Sequence, residues 1–123
     1  MKWSVDAALV ALGGAAGTLA RYGLDRSVGE VGSVPVSTLT VNIVGSFLIG
    51  VLLGRELPCR VRLFTATGVL GGFTTYSAFA VQSRELLGSH PVAAAAYAAG
   101  SVVAGVLAAL AGLRWSRCRR STP

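Results

Sequence analysis

The 123-residue chain is one domain by length, and residues 1–123 read as a single unit. Its composition excludes an ordinary soluble domain: 53% of residues are hydrophobic and only 13% charged, with a mean hydropathy of +0.65. The net charge of +6 does not point to a nucleic-acid partner, because the arginines sit at the ends of apolar runs and in the tail with Arg114, Arg117, Arg119 and Arg120, as positive-inside anchors do.

Four membrane helices are expected, over residues 5–24, 36–54, 63–82 and 92–113. The first lies around a charge-free run of 7–20, between Asp6 and Arg21. That run spans a bilayer only if its flanking residues reach the interfaces. Lys2 ahead of an Ala-rich run also fits a signal peptide, but the run leads straight into Arg21-Tyr22 and no soluble domain follows it. The other three helices fall in charge-free runs of 31–54, 63–83 and 86–113, each longer than the roughly 20 apolar residues that cross a membrane. The connections, 25–35, 55–62 and 83–91, are short. Trp115 falls at headgroup level beyond the last helix.

In the second helix Thr38, Asn42 and Ser46 recur every four residues and share a face. The asparagine either bonds a neighbouring helix or lines a polar path. Gly13/Gly17, Gly50/Gly54, Gly68/Gly72 and Ser101/Gly105 are pairs of small residues four apart, which allow close helix approach where lipid is as apolar as leucine. Four thin helices make a poor pore alone, so a dimer is expected.

The third helix carries "GVLGGFTTYSAF" (68–79). Gly71-Gly72 followed by Thr74-Thr75 is expected to interrupt it near mid-membrane, either as a packing kink or as an unwound segment facing a polar cavity. Freed carbonyl oxygens at such a break suit a hard cation. Beyond it, Tyr76 and Phe79 share a face, and Ser77 and Gln82 add donors. Ring edges carry partial positive charge, so hydroxyls, an amide and ring edges form a set of weak donors to an anion. Packing accounts for the two aromatics equally well.

All five carboxylates, Asp6, Asp25, Glu30, Glu56 and Glu85, flank the apolar runs. A proton-coupled exporter keeps an ionisable group in the membrane, which disfavours the alternative of a small four-helix multidrug exporter and fits an anion path. Cys59 and Cys118 lack metal-site spacing and fall on the expected cytoplasmic side, where thiols stay reduced. One histidine, His90, and no nucleophile–base constellation argue against an enzyme.

Three segments, "GGAAGTLARY" (13–22), "TLTVNIVGSFLIG" (38–50) and "GVLGGFTTYSAF", resemble the signature segments of the Fluc, or CrcB, fluoride channels. The resemblance covers the whole four-helix layout. It implies an all-α protein of the prokaryotic cell membrane, with a third helix broken near mid-membrane, assembling as an antiparallel dimer in the lipid. It implies a passive, fluoride-selective channel that exports toxic cytoplasmic fluoride through two pores. A structural, untransported sodium ion is implied at the dimer centre, held by the backbone carbonyls of Gly71 and Thr74 of each subunit. The pore residues implied are Asn42, Tyr76, Ser77 and Phe79, with Thr38 on the polar face. Arg21 corresponds to a vestibule arginine, where the competing reading is a snorkelling anchor. Tyr76 stands where the family has phenylalanine and Ala78 where it usually has threonine, two departures that bear on conduction.

The charge distribution adds an expectation about assembly. Lys2, Arg55, Arg60, Arg62, Arg114, Arg117, Arg119 and Arg120 fall on one side of the four-helix layout, against Arg21, Arg26 and Arg84 on the other. Such a bias orients the chain mainly one way. An antiparallel dimer then calls for an oppositely biased, homologous second subunit.

Overall fold

The computed structural model describes residues 2–28 and 35–120, and these are mostly helical, with no strand among them. Helix α1 spans Lys2–Val28 and α2 spans Val36–Leu53. Helix α3 is built of three continuous pieces: an α-helical turn Cys59–Arg62, a wider π-type stretch Leu63–Leu70 and a last turn Gly71–Phe73. Helix α4 follows at Tyr76–Ser89 and α5 at Pro91–Arg120. Together α3 and α4 are the broken third spanning element, and α1, α2 and α5 are each long and apolar enough to cross a membrane.

Helix α2 keeps to its expected limits within a residue, and the other spanning elements outrun theirs. The Arg21 end of α1 continues to Val28, so the short charge-free run is lengthened by its amphipathic flanks. Most of the 25–35 connection lies outside the described residues. The 55–62 connection shrinks because Pro58, with φ −52°, precedes the turn that begins at Cys59. A proline fixes φ and ends the preceding segment, while the next residues are free to start a helix. The 83–91 connection shrinks to His90 alone between α4 and α5. Pro91 opens α5, where its missing N–H has no helical partner to lose. The basic tail through Arg120 is helical, a direct extension of α5.

Close approach at small residues assembles the bundle. On α1, a Cβ at Gly17 would strike the Val69 carbonyl and lie 2.8 Å from the Phe73 nitrogen. A Cβ at Gly72 would meet the Gly14 carbonyl, 2.9 Å from the Gly14 Cα. Glycine is therefore required on both sides of the α1–α3 seam. The same holds between α2 and α5, where Gly50 meets the Ala109 carbonyl and Gly112 meets that of Phe47. Backbones this near gain dispersion and Cα–H contacts that larger side chains would forbid. A small apolar cluster of Leu86, Ala94 and Tyr97, flanked by Leu39 and Phe79, joins α4 to α5 and α2.

Much of the remaining apolar surface faces outward, with Leu19 71% and Leu107 61% exposed. An aqueous domain rarely carries so many exposed aliphatics along whole helices. A hydrocarbon surround removes that cost. Two contacts establish which ends share a side. Arg60 Nε lies 3.6 Å from Asp6 Oδ1, joining the start of α3 to the start of α1. At the end of α2, Gly54 packs on Ser116 of α5, where a Cβ would lie 2.8 Å from Ser116 Oγ.

Candidate functional site

The third element is interrupted at Thr74 and Thr75, not at the two glycines. Gly71 keeps helical angles of −64° and −36°, whereas Thr74 turns to ψ 155° and Thr75 is extended at φ −142°, ψ 115°. Neither threonine needs a positive φ, and β-branched residues are at ease in extended backbone. Gly72 serves the contact with Gly14 instead. The interruption expected over Gly71-Gly72 and Thr74-Thr75 is thus present, at the threonine half of that segment.

The two threonine hydroxyls close the two sides of the break. Thr74 N–H and Oγ1 both donate to Leu70 O, at 3.0 and 2.9 Å, closing the end of α3. Thr75 Oγ1 accepts from Ala78 N–H at 3.2 Å and so caps α4. It also pairs with Ser77 Oγ at 3.3 Å. From α2, Asn42 grips the same residue twice: Nδ2 donates to Thr75 O at 3.1 Å, and Oδ1 accepts from Thr75 N–H at 2.9 Å.

These bonds redirect two helical donors. In an unbroken helix Thr75 N–H would close on Gly71 O, and Ala78 N–H on Thr74 O. Here the first goes to Asn42 Oδ1 and the second to Thr75 Oγ1. The carbonyls of Gly71 and Thr74, which the family resemblance implies as ligands, are therefore among the break carbonyls whose α-helical donors are bonded elsewhere. Thr18 Oγ1 of α1 supports the neighbouring Gly72 O at 3.4 Å.

Beside the break lies an open groove of about 270 Å³, lined by Asn42, Ser46, Ile49, Thr74, Thr75, Tyr76 and Phe79. Polar groups of α2 and the break thus meet two aromatics on one surface. The rings of Tyr76 and Phe79 are 6.1 Å apart and tilted by 44°. Tyr76 is 82% exposed, and Phe79 is backed by Tyr97 at 5.6 Å. Tyr97 in turn donates to Gln82 Oε1 at 3.4 Å, so Gln82 is engaged with α5.

The groove unites Asn42, Tyr76, Phe79 and Thr74 from the residues chosen in the sequence. Ser77 is exposed and touches it through Thr75. Thr38 is buried, 3% exposed, and does not line the groove. Arg21 is half-buried on α1 and also stands outside it. Gly71 is exposed, with open space where a Cβ would go. Sequence reasoning missed the support from Tyr97, although it is the single aromatic within residues 91–113. It also missed the double clamp of Asn42 on the backbone, because nothing local to Asn42 signals a partner 33 residues away.

A family profile described as "CrcB-like protein, Camphor Resistance (CrcB)" matches residues 8–113, which hold both the break and the groove. The chain belongs to the CrcB-like family. Similar CrcB-like relatives carry the name "Fluoride-specific ion channel FluC". One from Thermus thermophilus is 50% identical over 113 residues, covering 86% of this chain and 89% of the relative. One from Methanopyrus kandleri is 40% identical, covering 88% and 86%. A third, "Fluoride-specific ion channel FluC 2" from Leifsonia xyli, is 42% identical over 125 residues, covering 91% and 86%. With its three long apolar helices, this CrcB-like chain is a multi-pass protein of the cell membrane.

Proposed function

We propose that the protein is a passive, fluoride-selective channel that exports fluoride, assembled as an antiparallel dimer with a structural sodium ion between the two helix breaks. The observation that carries the reading is the groove in which Asn42, Ser46 and the threonine hydroxyls face the rings of Tyr76 and Phe79. Fluoride is small and strongly hydrated, so its water shell must be replaced piecemeal. Hydroxyls, an amide N–H and ring edges are each weak donors, and an ion held weakly at several points can also leave. No carboxylate lines the groove to repel it.

The residues at the break fit a hard cation. Gly71 O and Thr74 O are neutral main-chain oxygens whose α-helical donors are bonded elsewhere, the ligand type that suits sodium. Two such oxygens from each subunit would hold it. The ion would supply a fixed positive charge at low dielectric. Asn42 keeps the break open by binding the Thr75 peptide, and Thr75 Oγ1 keeps the start of α4 capped.

Fluoride efflux from liposomes containing the purified protein tests the reading. Electrogenic fluoride loss with chloride retained is expected. Folded protein that moves no fluoride, or moves it only with a proton gradient, would overturn it. Replacing sodium by a bulky organic cation tests the central site separately, through reduced flux or a less stable dimer.

A further inference from the structure

A second polar cavity lies at the opposite end of α2 from Pro35. It has a volume of about 450 Å³ and is lined by Arg55, Glu56, Leu57, Ser116 and Arg119. Ser116 is 2% exposed, and its Oγ is buried with no hydrogen-bond partner among the described residues. An unpaired buried hydroxyl costs stability unless a ligand or water completes it. Arg119 is placed by its own helix, its guanidinium carbon 4.8 Å from the centre of the Trp115 ring. Trp115 in turn packs on Phe47 at 6.1 Å. Two arginines and one glutamate leave the lining with an excess of one positive charge.

The cavity sits where the apolar stretches of α2 and α5 give way to charge, at Gly54 and Leu113. That is the depth of lipid phosphates, and Trp115 is an interfacial residue. Basic clusters at this position attract anionic lipids, and arginine binds phosphate through paired N–H donors.

The geometry points to a phosphate-binding site for an anionic glycerophospholipid headgroup, with Arg55 and Arg119 on the phosphate oxygens and Ser116 as a supporting hydroxyl. The site is separate from the groove at the helix break and independent of what that groove conducts.

Native mass spectrometry of the full chain in detergent tests it, with phosphatidylglycerol and phosphatidylcholine as probes. Retention of phosphatidylglycerol over phosphatidylcholine is expected. The Arg55→Gln/Arg119→Gln variant should lose about thirtyfold in that retention, from two surface charge contacts. The Arg26→Gln/Arg84→Gln variant, changed at the other end of the bundle, should retain it as the unaltered protein does. Equal retention of both lipids, or equal loss in both double variants, overturns the site. Inorganic phosphate is the second arm: displacement of the lipid by millimolar phosphate identifies a site for the free ion and overturns the lipid assignment. Persistence of the lipid under the same phosphate supports it. Circular dichroism of both double variants confirms that retention is compared between folded proteins.

Discussion

Asn42 of α2 and Thr75 at the helix break are joined by two hydrogen bonds, 2.9 and 3.1 Å, made by the two ends of one side-chain amide. A side chain that satisfies both the N–H and the C=O of one residue stands in for a strand neighbour. It lets an extended residue sit at membrane depth with its peptide groups paired. The same bonds take Thr75 N–H away from Gly71 O. Asn42 thereby shapes the carbonyl arrangement of the break as well as lining the groove.

Asn42→Leu should therefore do more than remove a pore donor. It strands two backbone groups of Thr75, at a cost of about 1–3 kcal/mol each if they find no other partner. Liposome efflux should fall and the thermal midpoint should drop with it. Unchanged flux and midpoint in Asn42→Leu would remove the residue from both roles.

Gly71 and Gly72 are neighbours with opposite surroundings. A Cβ at Gly72 meets the Gly14 backbone, while one at Gly71 meets nothing within 4 Å among the described residues. Gly72→Ala should destabilise the folded chain by about 1–3 kcal/mol through overpacking, seen as a lower thermal midpoint. Gly71→Ala should leave the single chain folded. If a second subunit brings its own break to this place, Gly71→Ala should weaken the dimer and its dependence on sodium. Normal dimers of Gly71→Ala at low sodium would argue that no subunit meets it there.

Much of this arrangement is legible in the amino-acid sequence. The alternation of charge-free runs with charged ends locates the spanning segments, and the small residues four apart mark the seams at Gly13, Gly17, Gly68 and Gly72. The position of the break is less legible. Glycine is a general signal of weak helix, but here Gly72 is fixed by its neighbour on α1 and remains helical. The extended residues are two threonines, one hydroxyl reinforcing the last bond of α3 and the other capping α4. Side-chain capping and a clamp from another helix depend on tertiary contact, which local propensity does not encode. The π-type stretch Leu63–Leu70 has no marker in its residues.

At position 76 the phenol is a departure from the phenylalanine implied by the family resemblance. Tyr76 is exposed at the groove, and its ring lies against Phe79. Tyr76→Phe preserves the ring contact and removes only the hydroxyl. If that hydroxyl holds fluoride or narrows the path, the substitution should raise the efflux rate by severalfold, with the thermal midpoint unchanged. Equal rates would mean that the hydroxyl points away from the ion.

The charge bias makes a prediction about the partner, and the fold supplies its geometry. The ion pair of Arg60 with Asp6 and the packing of Gly54 on Ser116 bring the start of α1, the connection after α2 and the end of α5 to one end of the bundle. Arg55, Arg60, Arg62, Arg114, Arg117 and Arg119 lie there, whereas Arg21, Arg26 and Arg84 lie toward the other end. By the positive-inside rule this chain should insert mostly with the richer end in the cytoplasm. Copies inserted one way cannot pair antiparallel, so an oppositely oriented homologous subunit is expected to complete the dimer. Cys59 and Cys118 are both exposed, and both belong to the arginine-rich end. With Cys59→Ser, Cys118 becomes a single reporter for a membrane-impermeant maleimide in intact cells. Protection until lysis, with efflux only when a second homologous chain is co-expressed, would establish the heterodimer. Roughly equal labelling before and after lysis would instead show dual insertion and a homodimer, with the four tail arginines weighing less than the loops during insertion.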